Sequence, residues 1–371
     1  MKSILRALIV LALMFVIFVG AAGWMAYSFL NTPASDDASV AVFEVRPHES
    51  LKAISARLEE AGLIRSARFL EVYGRFTHVG SKVRVGEYAI RRDSKPKDVL
   101  AEITSGKSIE YSISIPEGYN IFQIADVFQD KKILKRDEFL KIVRDPVLIK
   151  ELLGESAPSL EGYLFPETYS YTKFTSATGI IRLMVSRFRE NWSKIEAIGT
   201  LPMSQHDLVT LASIIEKETG APEERPIISS VFYNRMKINM RLQTDPTVIY
   251  GIWDRAGSWN RNISKSDLLT PNRYNTYTFT GLPYGPIANP GFDAMKAAVQ
   301  PATSEYLFFV SKNNGNHIFS KDLAGHVRAI AKFQLDAKAR EGHSWRELSK
   351  APSSRVALPP VKKAPSPKLK D

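Results

Sequence analysis

The feature that most constrains this chain is a long run without a charge. Arg6 is followed by Ala7 to Leu30, 24 residues with no acidic or basic side chain, including the stretch LALMFVIFV. At about 1.5 Å of rise per residue, a helix of that length spans a hydrocarbon core of roughly 30 Å. A cleaved signal peptide has a shorter apolar region, about 7–15 residues, ending in a small-x-small site. Here the run is longer, and Trp24 and Tyr27 stand near its far end, where interfacial anchors belong. An uncleaved transmembrane anchor is therefore expected over residues 7–30. Lys2 and Arg6 precede it, so the positive-inside rule predicts residues 1–6 in the cytoplasm and the remainder of the chain outside.

The remaining length suffices for two domains with their own cores, and the charged and apolar shares are those of a globular protein. The net charge of +11 raises a nucleic-acid reading, but the charge is concentrated at one end. From Lys350 to Asp371 six basic residues face one acid, a net of +5 in a Pro/Ser/Lys-rich segment. That composition predicts a disordered basic tail over 351–371, either solvated or touching anionic lipid or wall polymer. An external compartment removes nucleic acid as a partner.

Several chemistries lack their signatures. The chain has no cysteine, so neither disulfides nor thiol catalysis is expected. Its six histidines show no metal-ligand spacing, and no P-loop, dinucleotide fingerprint or GxSxG elbow is present, so no metal site is expected.

Residues 31–39 (NTPASDDAS) read as a polar linker, and a small module follows over 40–110. Val42 to Val45 predict a strand, Ser50 can cap a helix carrying Leu51, Ile54 and Leu58, residues 86–90 predict a second strand, and Pro96 starts a further helix. A weak repeat appears at an offset of 70 residues. Leu51, Ile54, Leu58, Leu63, Ile64, Phe69 and Leu70 match Ile121, Ile124, Phe128, Ile133, Leu134, Phe139 and Leu140. Two related units, or two helix pairs sharing only amphipathic periodicity, would both produce it. The segment PHESLKAISARLEEAGL resembles a LysM-like module, which implies binding to N-acetylglucosamine polymers.

From residue 111 to about 350 longer helices alternate with aromatic-rich loops. A helix is expected from about Ala177 to Ile198, and YLFFV–SKNNGN–HIFS predicts a hairpin turning at Asn314-Gly315. Strands mixed with helices, without regular βαβ alternation, predict an α+β fold.

The stretch LASIIEKETG (211–220) carries the most interesting acids. Ser204 and Asp207 resemble a capping box, so a helix is expected from about Gln205 to Glu218, with Leu208, Leu211, Ala212 and Ile215 as its buried stripe. Gly220 and Pro222 end it. Glu216 and Glu218 fall on opposite flanks of that stripe, so they cannot form a two-carboxylate glycosidase pair, whose carboxyls sit about 5–5.5 Å apart. At the helix C-terminus the dipole disfavours ionisation, and partial burial beside Ile215 would raise the pKa further, as a general acid requires. Glu218 fits that description better than Glu216. Helix geometry alone is more simply read as a solvated acidic tip, so it nominates Glu218 without deciding its role.

Together LASIIEKETG, SSVFYNRMKINMRLQTDPTVIYG (229–251) and YNTYTFTGLPYGPIANPG (274–291) resemble the endolytic murein transglycosylase family, membrane-anchored lyases that cut the bacterial cell wall. The resemblance extends over nearly the whole chain, including EGYLFPETY, and stops before the basic tail. It implies that the second glutamate of EKET, Glu218, is catalytic. It implies cleavage of the β-1,4 bond between N-acetylmuramic acid and N-acetylglucosamine within a strand, leaving 1,6-anhydro ends, without metal or cofactor. It further implies an inner-membrane protein with a periplasmic catalytic domain, acting on nascent strands, with peptidoglycan synthases as possible partners. Gln243, Thr244, Asp245, Asn275, Tyr277 and Glu167 are candidates to hold the sugar, each with a turn or core role as its alternative. Asn234-Arg235 is either a buried or a substrate-facing pair, and GLPYGPIANPG is expected to shape backbone. A hydrolytic muramidase and a non-catalytic wall-binding scaffold are the alternative functions.

Overall fold

The uncharged run is helical from end to end. Helix α1 (Lys2–Asn31) contains it, and its length and composition are those of a membrane-crossing helix. The structure is a computed structural model, and it describes residues 2–154, 157–196, 203–258 and 262–335. The tail predicted over 351–371 lies outside the described residues.

After α1, strands β1 (Val40–Val45) and β2 (Gly86–Arg91) pair antiparallel, with Val40 opposite Arg91 and Val45 opposite Gly86. Helices α2 (Leu51–Glu60) and α3 (Ala67–Thr77) lie between them in sequence, and α4 (Pro96–Ser105) follows β2. Ser50 caps α2 as expected, its hydroxyl accepting the Ala53 N–H at 3.3 Å. Phe43, Val45, Ile54, Leu58, Leu70, Tyr88, Ile90 and Val99 close one apolar core, and Phe29 and Leu30 at the end of α1 pack against it. Strand β3 (Tyr111–Ser114) comes next, then α5 (Ile121–Asp130), α6 (Arg136–Ile142) and α7 (Pro146–Leu153). Strand β4 (Thr168–Tyr171) returns to pair antiparallel with β3, and the long α8 (Ala177–Glu196) follows. The chain divides into two compact units, one of residues 1–114 and 168–183, the other of 115–167 and 184 onward. In the first unit Lys173 donates to both Glu44 (2.8 Å) and Glu87 (3.2 Å), tying the segment after β4 to the β1–β2 sheet.

The repeat is more than shared periodicity. Ala61 and Gly62 donate to Arg57 and Glu59, and Leu63 donates to Leu58. Seventy residues on, Lys131 and Lys132 donate to Val127 and Gln129, and Ile133 donates to Phe128. Gly62 and Lys132 both take positive φ, +67° and +57°. Ser50 and Asn120 cap the two first helices. The same backbone path is thus built twice, once with the glycine that left-handed geometry favours and once without it.

The second unit continues with α9 (Gln205–Glu218), α10 (Arg225–Lys237), α11 (Asp245–Ala256), α12 (Lys265–Leu269) and α13 (Phe292–Val299). A hairpin of β5 (Phe308–Ser311) and β6 (His317–Ser320) precedes α14 (Leu323–Ile330). The fold is mixed α+β without βαβ alternation, as expected.

Helix α9 departs from the single buried stripe. Every residue from Leu208 to Ile215 is buried, including Val209, Thr210, Ser213 and Ile214, because α10, α11 and α13 surround it. Its polar positions are satisfied locally. Thr210 donates to the His206 carbonyl, and Ser213 donates to Thr210 O while accepting the Ile287 N–H. Ser204 accepts the Asp207 N–H, the expected cap.

A buried polar knot fixes the loops around α9. Glu161 accepts the Ile121 N–H (3.0 Å), the Tyr250 hydroxyl (2.8 Å) and Asn289 Nδ2 (3.0 Å). Asn289 also donates to the Tyr119 carbonyl and accepts the Leu164 N–H, both at 2.9 Å. The GPIANPG segment therefore shapes backbone, as anticipated, through a side chain that ties together two separate loops.

Candidate active site

Helix α9 ends at Glu218 because the next residues are already committed elsewhere. Thr219 turns out of helical geometry, and its hydroxyl donates back to the Ile215 carbonyl at 2.6 Å. A Cβ on Gly220 would lie 2.5 Å from the Gly315 carbonyl oxygen, so the tip of the β5–β6 hairpin rests where only glycine fits. The hairpin is thereby brought over the end of the helix that carries Glu218.

The two glutamates of EKET are separated as the helical wheel requires. Glu216 points to Arg225, at 3.3 Å, and to the Gly291 N–H, at 3.1 Å. Between them Lys217 donates to the Gly118 carbonyl at 3.2 Å. Both fasten α9 to neighbouring loops, Lys217 while remaining exposed.

Glu218 points into a cavity of about 430 Å³. Gln243, Thr244, Asp245 and Tyr277 line the same cavity, so the structure brings together five of the seven residues singled out in the sequence. Gln243 adopts φ +48° and its N–H donates to Thr276 O at 3.2 Å. That left-handed residue opens the sharp bend into α11. Thr244 N–H donates to the Thr276 hydroxyl at 3.1 Å, and Thr247 bonds both Thr244 O (2.7 Å) and the Thr276 hydroxyl (2.9 Å). This lattice of threonines locks Thr244, whose hydroxyl donates to Glu218 Oε1. Tyr277 donates to Asp245 Oδ1 at 2.6 Å, holding a second carboxylate at the mouth.

Two candidates lie elsewhere. Glu167 forms an ion pair with Arg187 at 3.3 Å, and its carbonyl accepts the Ile115 N–H. Asn275 is fully buried, and its Nδ2 donates to the carbonyls of Asp267, Leu268 and Thr270, closing the end of α12. It shapes the loop that presents Thr276 and Tyr277.

The cavity also holds residues not singled out as site candidates. Phe308 and Phe309 of β5 and Phe232 of α10 form an aromatic wall. Arg235 lines it too, but its guanidinium serves the carbonyls of Leu307 and Leu242, and Asn234 donates to Ser304 O and Tyr306 O. The pair left open in the sequence is thus a clamp on the strand leading into β5. His326 stacks on Phe308 with centroids 5.0 Å apart, and its Nδ1 is buried without a partner. Burial and the Arg235 charge hold this imidazole below its usual pKa, hence neutral. His317 bonds Glu224 at 2.7 Å. The Arg235–Leu307 and His317–Glu224 contacts join residues 72 and 93 positions apart in the chain, so local motifs could not announce them.

Glu218 titrates above the ordinary carboxylate range, chiefly because burial disfavours its charged form. The Thr244 hydrogen bond opposes that shift, the Asp245 charge adds to it, and His317 and Arg235 oppose it more weakly. The site therefore favours the acid form of one carboxyl, beside an acceptor (Asp245), an exposed amide (Gln243) and aromatic faces. That is an inventory for donating a proton to a glycosidic oxygen and holding a sugar ring.

The Thr244 bond makes a testable contribution. Replacing Thr244 with Val removes a donor that stabilises the carboxylate, so Glu218 should titrate higher. The acid form would then persist to higher pH, moving the alkaline limb of kcat/KM upward by about one pH unit, since a bond to a charged group contributes roughly 1.5–3 kcal/mol. A limb that stayed in place or moved down would contradict this role for Thr244.

Comparison with known proteins identifies relatives of the chain. Residues 43–332 match the YceG-like family. The endolytic murein transglycosylase of Bacillus subtilis is 31% identical over 333 residues, covering 85% of this chain and 91% of its own. The endolytic murein transglycosylase of Streptococcus pneumoniae is 28% identical, and the match covers 89% of this chain and 65% of that longer protein. A yceG-like protein of Listeria monocytogenes, solved by crystallography at 2.6 Å, is 33% identical with a TM-score of 0.50, covering 78% of this chain and 98% of its own.

Proposed function

This chain belongs to the YceG-like family, and on that premise we propose that it is an endolytic lytic transglycosylase of peptidoglycan. The observation that carries the reading is Glu218, a carboxyl with a raised pKa, hydrogen-bonded by Thr244 and opening into an aromatic-walled cavity.

The chemistry needs one carboxyl used twice. Protonated Glu218 gives its proton to the oxygen joining N-acetylmuramic acid to N-acetylglucosamine, and the C1–O bond breaks. The C6 hydroxyl of the same muramic residue bonds to C1, and its proton passes to the Glu218 carboxylate. The sugar closes as a 1,6-anhydro end, no water is consumed, and the carboxyl returns to its acid form. Gln243, Asp245 and Tyr277 hold the strand, with His326 as a neutral partner in the same cavity. Glu167 and Asn275 support the scaffold instead.

Residues 40–110 act as a LysM-like glycan-binding module, and the catalytic domain falls within 111–350. Helix α1 anchors the chain once in the inner membrane, with Lys2 and Arg6 on the cytoplasmic side and the catalytic cavity in the periplasm. That placement suits release or shortening of nascent strands beside peptidoglycan synthases. Digestion of uncross-linked glycan strands tests the endolytic part. Early products should be intermediate-length strands, with the mean length falling before short fragments accumulate. Release of disaccharides from the outset would contradict it.

A further inference from the structure

Helix α3 carries an apolar stripe that the core of its own unit does not use. Leu70 and Gly74 face inward; a Cβ on Gly74 would lie 2.3 Å from Leu51 Cδ2. Phe69, Val72 and Phe76, at i, i+3 and i+7, share a different face. Val72 is 49% exposed and Phe76 84%. The first member of the stripe touches the anchor: the Phe69 and Phe29 rings lie 4.4 Å apart.

The anchor sets the height of that contact. From Arg6 to Phe29 a helix rises by about 35 Å, slightly more than the roughly 30 Å of a hydrocarbon core. With Arg6 at the inner interface, Phe29 and Phe69 therefore sit at the outer one. Val72 and Phe76 continue from that point on the same helix. Basic residues accompany them. Arg65, Arg68, Arg75, Lys82 and Arg84 stand against a single acid, Glu71, in residues 65–84. On the wheel Arg68 and Arg75 flank the stripe on the side away from Leu70. Between α3 and α4 a groove of about 360 Å³ has Tyr73, Val79 and Leu100 among its walls, with Lys82 and Lys97 beside them. An exposed apolar stripe bordered by arginines, starting at a membrane exit, has the composition of an interfacial helix.

We propose that α3 lies on the outer surface of the bilayer, with Val72 and Phe76 inserted among acyl chains and the surrounding basic residues on anionic headgroups. The inference rests on the single-pass reading of α1 but not on the chemistry of Glu218. It makes the first unit a membrane-bound platform, held by its own surface as well as by its anchor.

The absence of native cysteine makes the test direct. The full chain carrying Phe76→Cys, labelled with an environment-sensitive fluorophore, is reconstituted in nanodiscs containing phosphatidylglycerol, and quenching by bromine-labelled lipid is measured. Val42→Cys, on β1 at a position 63% exposed, serves as the reference. The expected result is several-fold stronger quenching at position 76, reduced when phosphatidylcholine replaces the anionic lipid. Equal quenching at the two positions in discs that carry the protein overturns the inference alone. A chain that does not co-elute with discs overturns the anchor reading and this inference together. A probe at position 76 that is shielded only when a second membrane protein is added assigns the stripe to a protein partner and overturns the lipid assignment.

Discussion

Replacing Glu218 with Gln is expected to lower glycan cleavage by at least about 10³-fold without unfolding the protein. The substitution is nearly isosteric, and the amide oxygen can still accept from Thr244. What it loses is the exchangeable proton, which the proposed cycle uses in both directions. General acid and base assistance each contribute about 10²–10⁴-fold. The raised pKa bears on the same result, because burial favours the acid form that a proton donor must start from. Turnover on purified peptidoglycan, paired with a thermal melt of each protein, separates lost chemistry from lost folding. A Glu218→Gln protein that cleaved strands at the wild-type rate would remove Glu218 from the mechanism.

The largest stability effect should come from Asn289. Its buried amide donates to Glu161 and Tyr119 and accepts from the Leu164 backbone. Asn289→Ala leaves the buried Leu164 N–H without its acceptor and takes one donor from Glu161. It takes another from the Tyr119 carbonyl, which keeps the backbone N–H of residue 289, for a total penalty of roughly 3 kcal/mol. For a unit of this size the melting temperature should fall by about 10 °C. Asn289→Asp should be no milder, since it loses both donors and places a second carboxyl against Glu161. A melting point within 2 °C of wild type for Asn289→Ala, roughly the effect of less than 1 kcal/mol, would show that the knot does not hold these loops.

Glu161 also gives the knot a pH signature. Burial pushes its carboxyl up to about 8 from 4.5, against the bonds it accepts from Ile121 and Tyr250 and the nearby charge of Arg144. Between those values the folded protein holds a proton that the unfolded chain has released, so stability is greatest below the lower value and falls as pH rises through the upper one. Thermal melts from pH 5 to 8 should decline for wild type and flatten for Glu161→Gln. A wild-type melting temperature that rose across this window would reverse the assignment.

Much of this was legible in the residues because the signals are local. The uncharged run, the caps at Ser50 and Ser204 and the turn at Asn314-Gly315 each act within a few positions. The split of Glu216 from Glu218 follows from helix geometry, and Gln243, Thr244 and Asp245 are contiguous. What escaped was built by distance in sequence. Asn289 meets Glu161 across 128 positions, and His317 meets Glu224 across 93. Asn275 and Glu167 looked like sugar ligands because amides and carboxylates suit sugars equally as free groups or as loop fasteners. Only the carbonyls around Asn275 and the guanidinium beside Glu167 distinguish these roles. The stripe on α9 understated its burial, since Thr210 and Ser213 look polar until their hydroxyls are seen bonding within and across the helix.

The central claim is that one half-buried carboxyl cuts the strand while the substrate supplies its own nucleophile. Mass spectrometry of peptidoglycan digested by the full chain, with Glu218→Gln in parallel, tests it most directly. The account predicts fragments ending in 1,6-anhydro-N-acetylmuramic acid from the wild type and none from the variant. Fragments with reducing muramic ends, heavier by one water, would show that water attacks instead and would contradict it.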